Sequence, residues 1–113
     1  MEILQQKRER SDLLKTAAVL FDGEMIKAVV DIRRGLIAID AELHADLEEM
    51  LLSSGSSQED LWGINLYPEE TEEDFIEYDS LINIRPRQNN RSRGIEDDET
   101  RTKVDEVVYL WIS

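Results

Sequence analysis

Residues 26–44 alternate apolar and polar side chains on either side of a short turn, and this pattern constrains the fold more than any other. Apolar residues occupy every second position from 26 to 32 and again from 37 to 43, with Arg34 and Gly35 between the two runs. A period of two residues is typical of a strand that buries one face. We therefore expect a hairpin of two antiparallel strands here.

Helical spacing flanks this hairpin and returns at the end of the chain. Apolar residues recur at intervals of three and four over 11–22, where Ser11 can cap the start and Gly23 can end the helix. The same spacing predicts a short helix over 45–53 and a last helix over 97–112. Three helices are therefore expected.

Two further strands are predicted over 61–67 and 76–85, joined by an acidic loop over 69–74 that we expect to be solvated. A short edge strand over 2–5 is left open. The order is α-β-β-α-β-β-α. It predicts an α+β fold in which a four-stranded, mostly antiparallel sheet carries helices on one face. The length of 113 residues fits a single domain, residues 1–113.

Composition excludes several classes of protein. The chain has 26 Asp and Glu against 13 Lys and Arg, so its field repels polyanions and we expect no nonspecific binding to nucleic acid or anionic membrane. The absence of cysteine excludes disulfides, thiolate metal sites and thiol nucleophiles. Neither the apolar core of a secretory signal nor a membrane-spanning stretch is present, so we expect a cytoplasmic protein.

Arginines concentrate in residues 82–94, INIRPRQNNRSRG, after a span that lacks basic side chains. Residues 35–84 contain fourteen Asp and Glu and no Lys or Arg. The guanidinium group binds carboxylates and phosphates through two hydrogen bonds, and successive loop N–H groups can complete an anion receptor. The cluster, formed by Arg85, Arg87, Arg91 and Arg93, therefore binds an anionic ligand or pairs with the protein's own acids.

Strict alternation places polar side chains on the face of the sheet opposite the helices. The helix side is expected to hold Ile26, Val30, Ile37, Ile39, Ile64, Ile82 and Ile84. The opposite side is expected to hold Lys27, Asp31, Arg33, Asp40, Glu42, His44, Asn65, Tyr67, Asn83 and Arg85. Such a face can be solvated, form a dimer or bind a ligand. Asp40, Glu42 and His44 could share a divalent metal, but one histidine in an acidic chain is a weak signal and is more often a structural residue at a helix entry, so neither a metal nor a cofactor is predicted.

Three functions remain open. The first is a binding or accessory module for an anionic ligand or a protein partner, with binding candidates Arg85, Arg91, Arg93, Asn65, Asn83, Asn90 and Ser92. The second is a small hydrolase or phosphoryl-transfer enzyme in which His44 acts as base, Glu42 orients it, and Arg85 with Arg91 stabilises developing negative charge. In the third, the polar face serves only homodimerisation.

Three strings, ELHADLEEMLL, SSQEDLWGINLYP and INIRPRQNNRS, resemble a family of short bacterial and archaeal proteins. The resemblance covers most of the chain, from about Met25 to Ile112. That family is classed only as a domain of unknown function. The resemblance therefore implies no activity, cofactor or catalytic residue.

Overall fold

One antiparallel sheet with three helices forms the body of the protein. The computed structural model describes the backbone of residues 1–20 and 24–113, and the side chains of all of these except 16–20. The elements in this part are β1 (Glu2–Ile3), α1 (Arg10–Leu20), β2 (Ile26–Asp31), β3 (Leu36–Ile39), α2 (His44–Ser53), β4 (Leu61–Leu66), β5 (Ile76–Glu77) and α3 (Asp98–Trp111). The strand order is β1-β3-β2-β4-β5. The α+β class is confirmed, whereas the sheet has five strands and not four.

All three predicted helices are present. The predicted end of the first helix at Gly23 lies outside the described residues. No helix in the described part is long and apolar enough to cross a membrane.

The predicted hairpin is confirmed as β2 and β3, which pair from Ala28 opposite Ile39 to Asp31 opposite Leu36. The buried carboxylate of Asp31 accepts the backbone N–H groups of Arg33 at 2.9 Å and Arg34 at 2.8 Å. Its second oxygen accepts the hydroxyl of Ser56 at 2.6 Å. Asp31 therefore stabilises the turn of the hairpin and ties it to the segment that follows α2.

The second strand of the hairpin is shorter than predicted. β3 ends at Ile39 because Asp40 adopts a φ of 74°, a left-handed conformation that interrupts the extended chain. His44 then begins α2. The expectation that Asp40, Glu42 and His44 share one face of a strand is therefore wrong.

Helices cover both faces of the sheet, so the prediction of helices on one face is wrong. One face packs against α1 and α3, which contribute Leu13, Val104 and Val108 to the main core. On the other face, Leu47 and Leu51 of α2 form a second cluster. The sheet contributes to this second cluster Val29, Ala38 and Leu61. β2 is consequently buried on both sides, as expected of a central strand between two layers of helix.

The predicted fourth strand, 76–85, is wrong beyond Glu77. After β5 the chain forms a 3₁₀ turn over Leu81–Asn83, whose start is capped by the Ser80 hydroxyl accepting the Ile82 N–H at 3.3 Å. The side chain of Asn83 pairs with Gly63 of β4, accepting its N–H at 2.8 Å and donating to its carbonyl at 2.9 Å. A side-chain amide thus replaces the strand that would otherwise pair with β4 here.

Two of the isoleucines expected on the helix side lie in the part of 76–85 that does not form a strand. Ile82 packs against the α2 cluster, and Ile84 is 42% exposed. Both leave the predicted face because the backbone from Leu81 to Asn83 is no longer extended, so the period of two no longer applies. The other five predicted isoleucine and valine positions are confirmed in the main core.

Candidate functional site

A polar groove lies on the α2 side of the sheet, between the start of α2 and the segment after β5. Its volume is about 460 Å³, within the roughly 300–1,000 Å³ range of small-molecule pockets. The polar side chains lining it are Lys27, His44, Asn65, Tyr67, Glu77, Asp79, Ser80 and Arg93. The apolar ones are Met25, Leu43, Ala45, Leu81 and Ile82.

Three polar side chains cross the floor of the groove in a row. Lys27 of β2 is paired with Asn65 of β4, and Asn65 is paired with Glu77 of β5. Residues opposite one another in neighbouring strands point to the same face and lie about 5 Å apart. The sheet thus presents an ammonium, an amide and a carboxylate side by side.

The amide in the centre of this row has an unpaired oxygen. Asn65 is only 5% exposed, and its Nδ2 donates to Glu77 Oε1 at 2.8 Å and to the Asp79 carbonyl at 3.3 Å. These two acceptors fix the orientation of the amide. Its Oδ1 is buried and has no hydrogen-bond partner in the part of the chain that the structure describes. A buried acceptor without a donor is unusual in a folded protein.

His44 anchors the start of α2 to the edge of this row. Its ring is buried, and Nε2 lies 2.8 Å from the carbonyl oxygen of Ile64, so Nε2 carries the hydrogen and donates it. Burial lowers the pKa of His44; the bond to Ile64 opposes this shift, and the charge of Lys27 adds to it. The side chain of Asn65 also favours the protonated ring, although its Oδ1 makes no hydrogen bond of standard geometry with a described donor. The imidazole is therefore neutral at neutral pH.

The N-terminus of α2 opens into the groove without a side-chain cap. Leu43 occupies the capping position, and no side chain in the described ranges accepts a bond from this end of the helix. No acceptor for the backbone N–H groups of His44 and Ala45 is found among the described residues. These groups carry the positive end of the helix dipole. Together with Lys27 and Arg93, they make this part of the groove suited to an anionic group.

Arg93 lies at the rim and is only partly engaged. Its Nε donates to Asp79 Oδ1 at 2.6 Å, and its side chain is 56% exposed. A guanidinium has five N–H donors, so this pair leaves others for a ligand.

Arg85 has a different environment from the one expected. Its Nε donates to the carbonyl of Ile82 at 2.9 Å, and its NH2 nitrogen donates to the carbonyl of Leu61. The guanidinium lies over the ring of Trp62, 4.8 Å from its centroid, and 3.6 Å from the carboxylate of Glu48. Burial lowers the pKa of Arg85, and the charge of Glu48 opposes the shift. Arg85 thus fixes the 3₁₀ segment against β4 and does not line the groove.

The two asparagines of the arginine-rich segment organise its backbone. Asn83 also donates to the carbonyl of Arg93 at 3.0 Å. Asn90 is buried, donates to the carbonyls of Asn83 and Gly94 at 2.7 Å each, and accepts the N–H of Glu96 at 2.8 Å. Their amides are used within the protein.

Successive N–H groups of this loop do form an anion receptor, and the protein's own acid occupies it. Glu96 Oε2 accepts the backbone N–H of Arg91 at 2.6 Å and that of Ser92 at 2.9 Å. These two bonds lower the pKa of Glu96 below its usual value. Internal pairing therefore uses the backbone receptor of this loop, together with Arg85 and one donor of Arg93.

The groove brings together three of the predicted site residues, His44, Asn65 and Arg93, with Lys27 and Tyr67 of the predicted polar face. Glu42 is exposed and lies outside the lining, as do Arg85, Asn83, Asn90, Arg91 and Ser92. The described residues contain no group of three metal-binding side chains. Sequence reasoning missed Glu77 and Asp79, whose only signal was the polar alternation around β5.

The fold and the groove define a small α+β domain with an open, mixed-charge groove beside a helix N-terminus. The chain belongs to the family described as Protein of unknown function (DUF5674), whose model matches residues 2–110. The family resemblance seen in the sequence is thereby confirmed. Neither the curated proteins nor the solved structures contain a significant match to this chain.

Proposed function

We propose that the protein is a binding module that holds a small ligand in the groove by an anionic group. The observation that carries this proposal is the uncapped start of α2, where the N–H groups of His44 and Ala45 open into the same space as Lys27. A second observation is the buried, unpaired Oδ1 of Asn65 on the floor of the groove. Helix N-termini of this kind bind carboxylates and phosphates.

The groove is favoured over the arginine-rich loop because the backbone receptor and Arg85 of that loop already have partners within the protein. Glu96 fills the N–H receptor, and Arg85 is bound to backbone carbonyls and to Glu48. A ligand at the loop would have to displace these internal bonds. A ligand at the groove meets the backbone N–H groups of His44 and Ala45, for which the described residues supply no acceptor.

Support for the enzyme hypothesis is weaker. It requires His44 beside Glu42 in a cleft shared with Arg85, and of these residues only His44 lines the groove. Nε2 of His44 is committed to the carbonyl of Ile64, so this nitrogen is not available as a base.

Homodimerisation through the polar face stays a prediction. α2 covers the apolar part of this face around Val29 and Ala38, which leaves the groove and its rim as the contact surface. Light scattering of Leu81→Asp separates this from ligand binding, since Leu81 is 67% exposed beside the groove. Halving of the mass relative to the unchanged protein would favour the dimer.

The proposal is tested by titrating ¹⁵N-labelled protein with acetate, phosphate and 4-methylpentanoate while amide shifts are followed by NMR. We expect saturable shifts at the amides of His44 and Ala45 with at least one of these anions. Lys27→Met, which keeps the apolar stem but removes the charge, should weaken this binding about tenfold, the effect of roughly one close charge pair.

Lys103→Met is the matched control, because it removes the same charge from the exposed face of α3, where Lys103 pairs with Glu99. It should leave the affinity unchanged. Absence of saturable shifts at His44 and Ala45, or equal weakening by both substitutions, would contradict an anion site at this helix end.

A further inference from the structure

We infer that the ligand is an α-amino acid with an apolar side chain; this rests on the proposed function, since its carboxylate would occupy the anion site. The chemistry of the groove beyond the anion site supports it. A simple anion leaves three features of the groove without a role: the unpaired Asn65 oxygen, the carboxylates of Glu77 and Asp79, and an exposed apolar rim.

The Asn65 oxygen requires a hydrogen-bond donor close to the anion. The amide nitrogen faces Glu77 and the Asp79 carbonyl, which leaves Oδ1 on the other side of the amide. The neighbour across the sheet in the row is Lys27. In an α-amino acid the hydrogen-bond donor lies on the carbon next to the carboxylate. The amino group and the carboxylate therefore fit within the roughly 5 Å that separates paired residues on neighbouring strands.

The charges of the groove favour an ammonium as that donor over a neutral hydroxyl. Glu77 Oε1 already accepts bonds from Asn65 and from the Tyr67 hydroxyl, at 2.8 and 3.1 Å, while Oε2 remains free in the described part of the chain. Asp79 lines the same space. A zwitterion also avoids the long-range repulsion that a net charge of −13 exerts on an anion.

The rim of the groove supplies an apolar contact. Leu43 and Leu81 both line it and are 56% and 67% exposed, and the half-buried Ile82 lies beside them. Large apolar side chains gathered at the mouth of a polar groove are typical of a binding site. They fit the aliphatic side chain of a ligand whose charged groups are held at the start of α2.

The test compares L-leucine with three analogues by calorimetry. The analogues are 4-methylpentanoate, which lacks the amino group, 3-methylbutylamine, which lacks the carboxylate, and 2-hydroxy-4-methylpentanoate, which replaces the amine by a hydroxyl. We expect L-leucine to bind about tenfold more tightly than each of them, and more tightly than L-serine.

Glu77→Gln provides the second measurement, because glutamine retains an oxygen acceptor for Asn65 and Tyr67 but lacks the charge. The preference for L-leucine over 4-methylpentanoate should fall about threefold or more with this change, by the loss of one nearby charge. The matched control is Glu73→Gln, an exposed acid of the 69–74 loop that does not line the groove.

The outcomes separate this inference from the proposed function. If 4-methylpentanoate or the hydroxy acid binds as tightly as L-leucine, the amino-acid inference is overturned while the anion site stands. Equal binding of L-serine overturns the apolar side chain. If no analogue binds and none shifts the amides of His44 and Ala45, both proposals are overturned together.

Discussion

His44 is the single histidine of the chain, and it joins the groove to the body of the protein. Its ring donates to the Ile64 carbonyl of β4, while its backbone N–H, at the first position of α2, has no acceptor among the described residues. One residue thus positions the helix end that would receive the anion. The sequence favoured a structural histidine at the helix entry over a base on the preceding strand, and His44 does begin α2.

We predict that the pKa of His44 lies below 6.5 in the folded protein, because burial and the charge of Lys27 oppose protonation. The opposing influences are the Ile64 bond and the charge of Asp79, and Glu77 and Arg93 also line the groove. An NMR titration of the single imidazole measures this value directly. A pKa at or above 6.5 would contradict the burial described here.

The lowered pKa of His44 determines whether its contribution to stability rises or falls with pH. A folded-state pKa below the unfolded value means that the unfolded chain binds the extra proton first as pH falls. The contribution of His44 to stability is therefore complete above about pH 6.5 and decreases as pH falls toward the folded pKa. Urea unfolding of the wild type and of His44→Gln at pH 7.5 and 5.5 separates the contribution of His44 from that of the carboxylates. Both proteins share the carboxylates, so only the wild type should lose the His44 contribution to the free energy of unfolding at the lower pH.

At the level of elements, the 3₁₀ segment after β5 is held to β4 by one amide. Asn83 is fully buried and satisfies both backbone groups of Gly63. A Cβ at Gly63 would lie 2.6 Å from the Cβ of Ser80, so only glycine permits this close approach. The position of Ser80 and Leu81, and therefore one wall of the groove, depends on this contact.

We predict that Asn83→Ala lowers the free energy of unfolding by about 3 kcal/mol, because it leaves at least two buried backbone groups unpaired. Gln88→Ala is the control in the same segment. The Gln88 side chain is exposed, donates to the Glu59 carbonyl at 3.0 Å and accepts a long 3.5 Å bond from Arg85, so its loss should cost less than about 1 kcal/mol. Equal effects in urea unfolding would mean that Asn83 is not the link between the segment and β4.

The elements also explain which parts of the fold were predictable from sequence. The β2–β3 hairpin and α3 follow from local periodicity, which the structure preserves. The 76–85 strand could not be excluded, because its apolar alternation is real and the interruption depends on contacts of Ser80 and Asn83 with β4. A sequence does not reveal such contacts between distant segments.

The layers of the fold and the candidate site also contain some features that local sequence pattern predicts and others that it does not. Val29 and Ala38 occupy the face assigned to polar residues, and this exception marks the surface that α2 covers. His44, Asn65 and Arg93 were predictable from sequence as candidate site residues. Their assembly with Glu77 and Asp79 depends on the β4–β5 register and on the early end of β3, neither of which follows from local pattern.

Across the whole molecule, charge is distributed unevenly between the groove and the rest of the surface. The chain has 26 acids against 13 basic side chains, so even complete pairing leaves thirteen acids without a basic partner. The groove balances Lys27 and Arg93 against Glu77 and Asp79 and adds a helix N-terminus, so it is less negative than the rest of the surface. A ligand is thus attracted locally and, if it is an anion, repelled at long range.

We predict that this excess makes the folded protein more stable as sodium chloride is raised from about 0.01 M to 0.15 M. The Debye length falls over this range from roughly 30 Å to 8 Å, which screens repulsion across a molecule whose longest extent is 37 Å. Salt also weakens the ion pairs, but each exposed pair contributes only about 0–1 kcal/mol and those at short range are screened least. Repulsion among the excess acids should therefore dominate, and Tm measured by circular dichroism should rise. Replacing sodium chloride by potassium chloride at equal ionic strength is the control for specific ion effects, and a fall in Tm with both salts would mean that ion pairing outweighs the net charge.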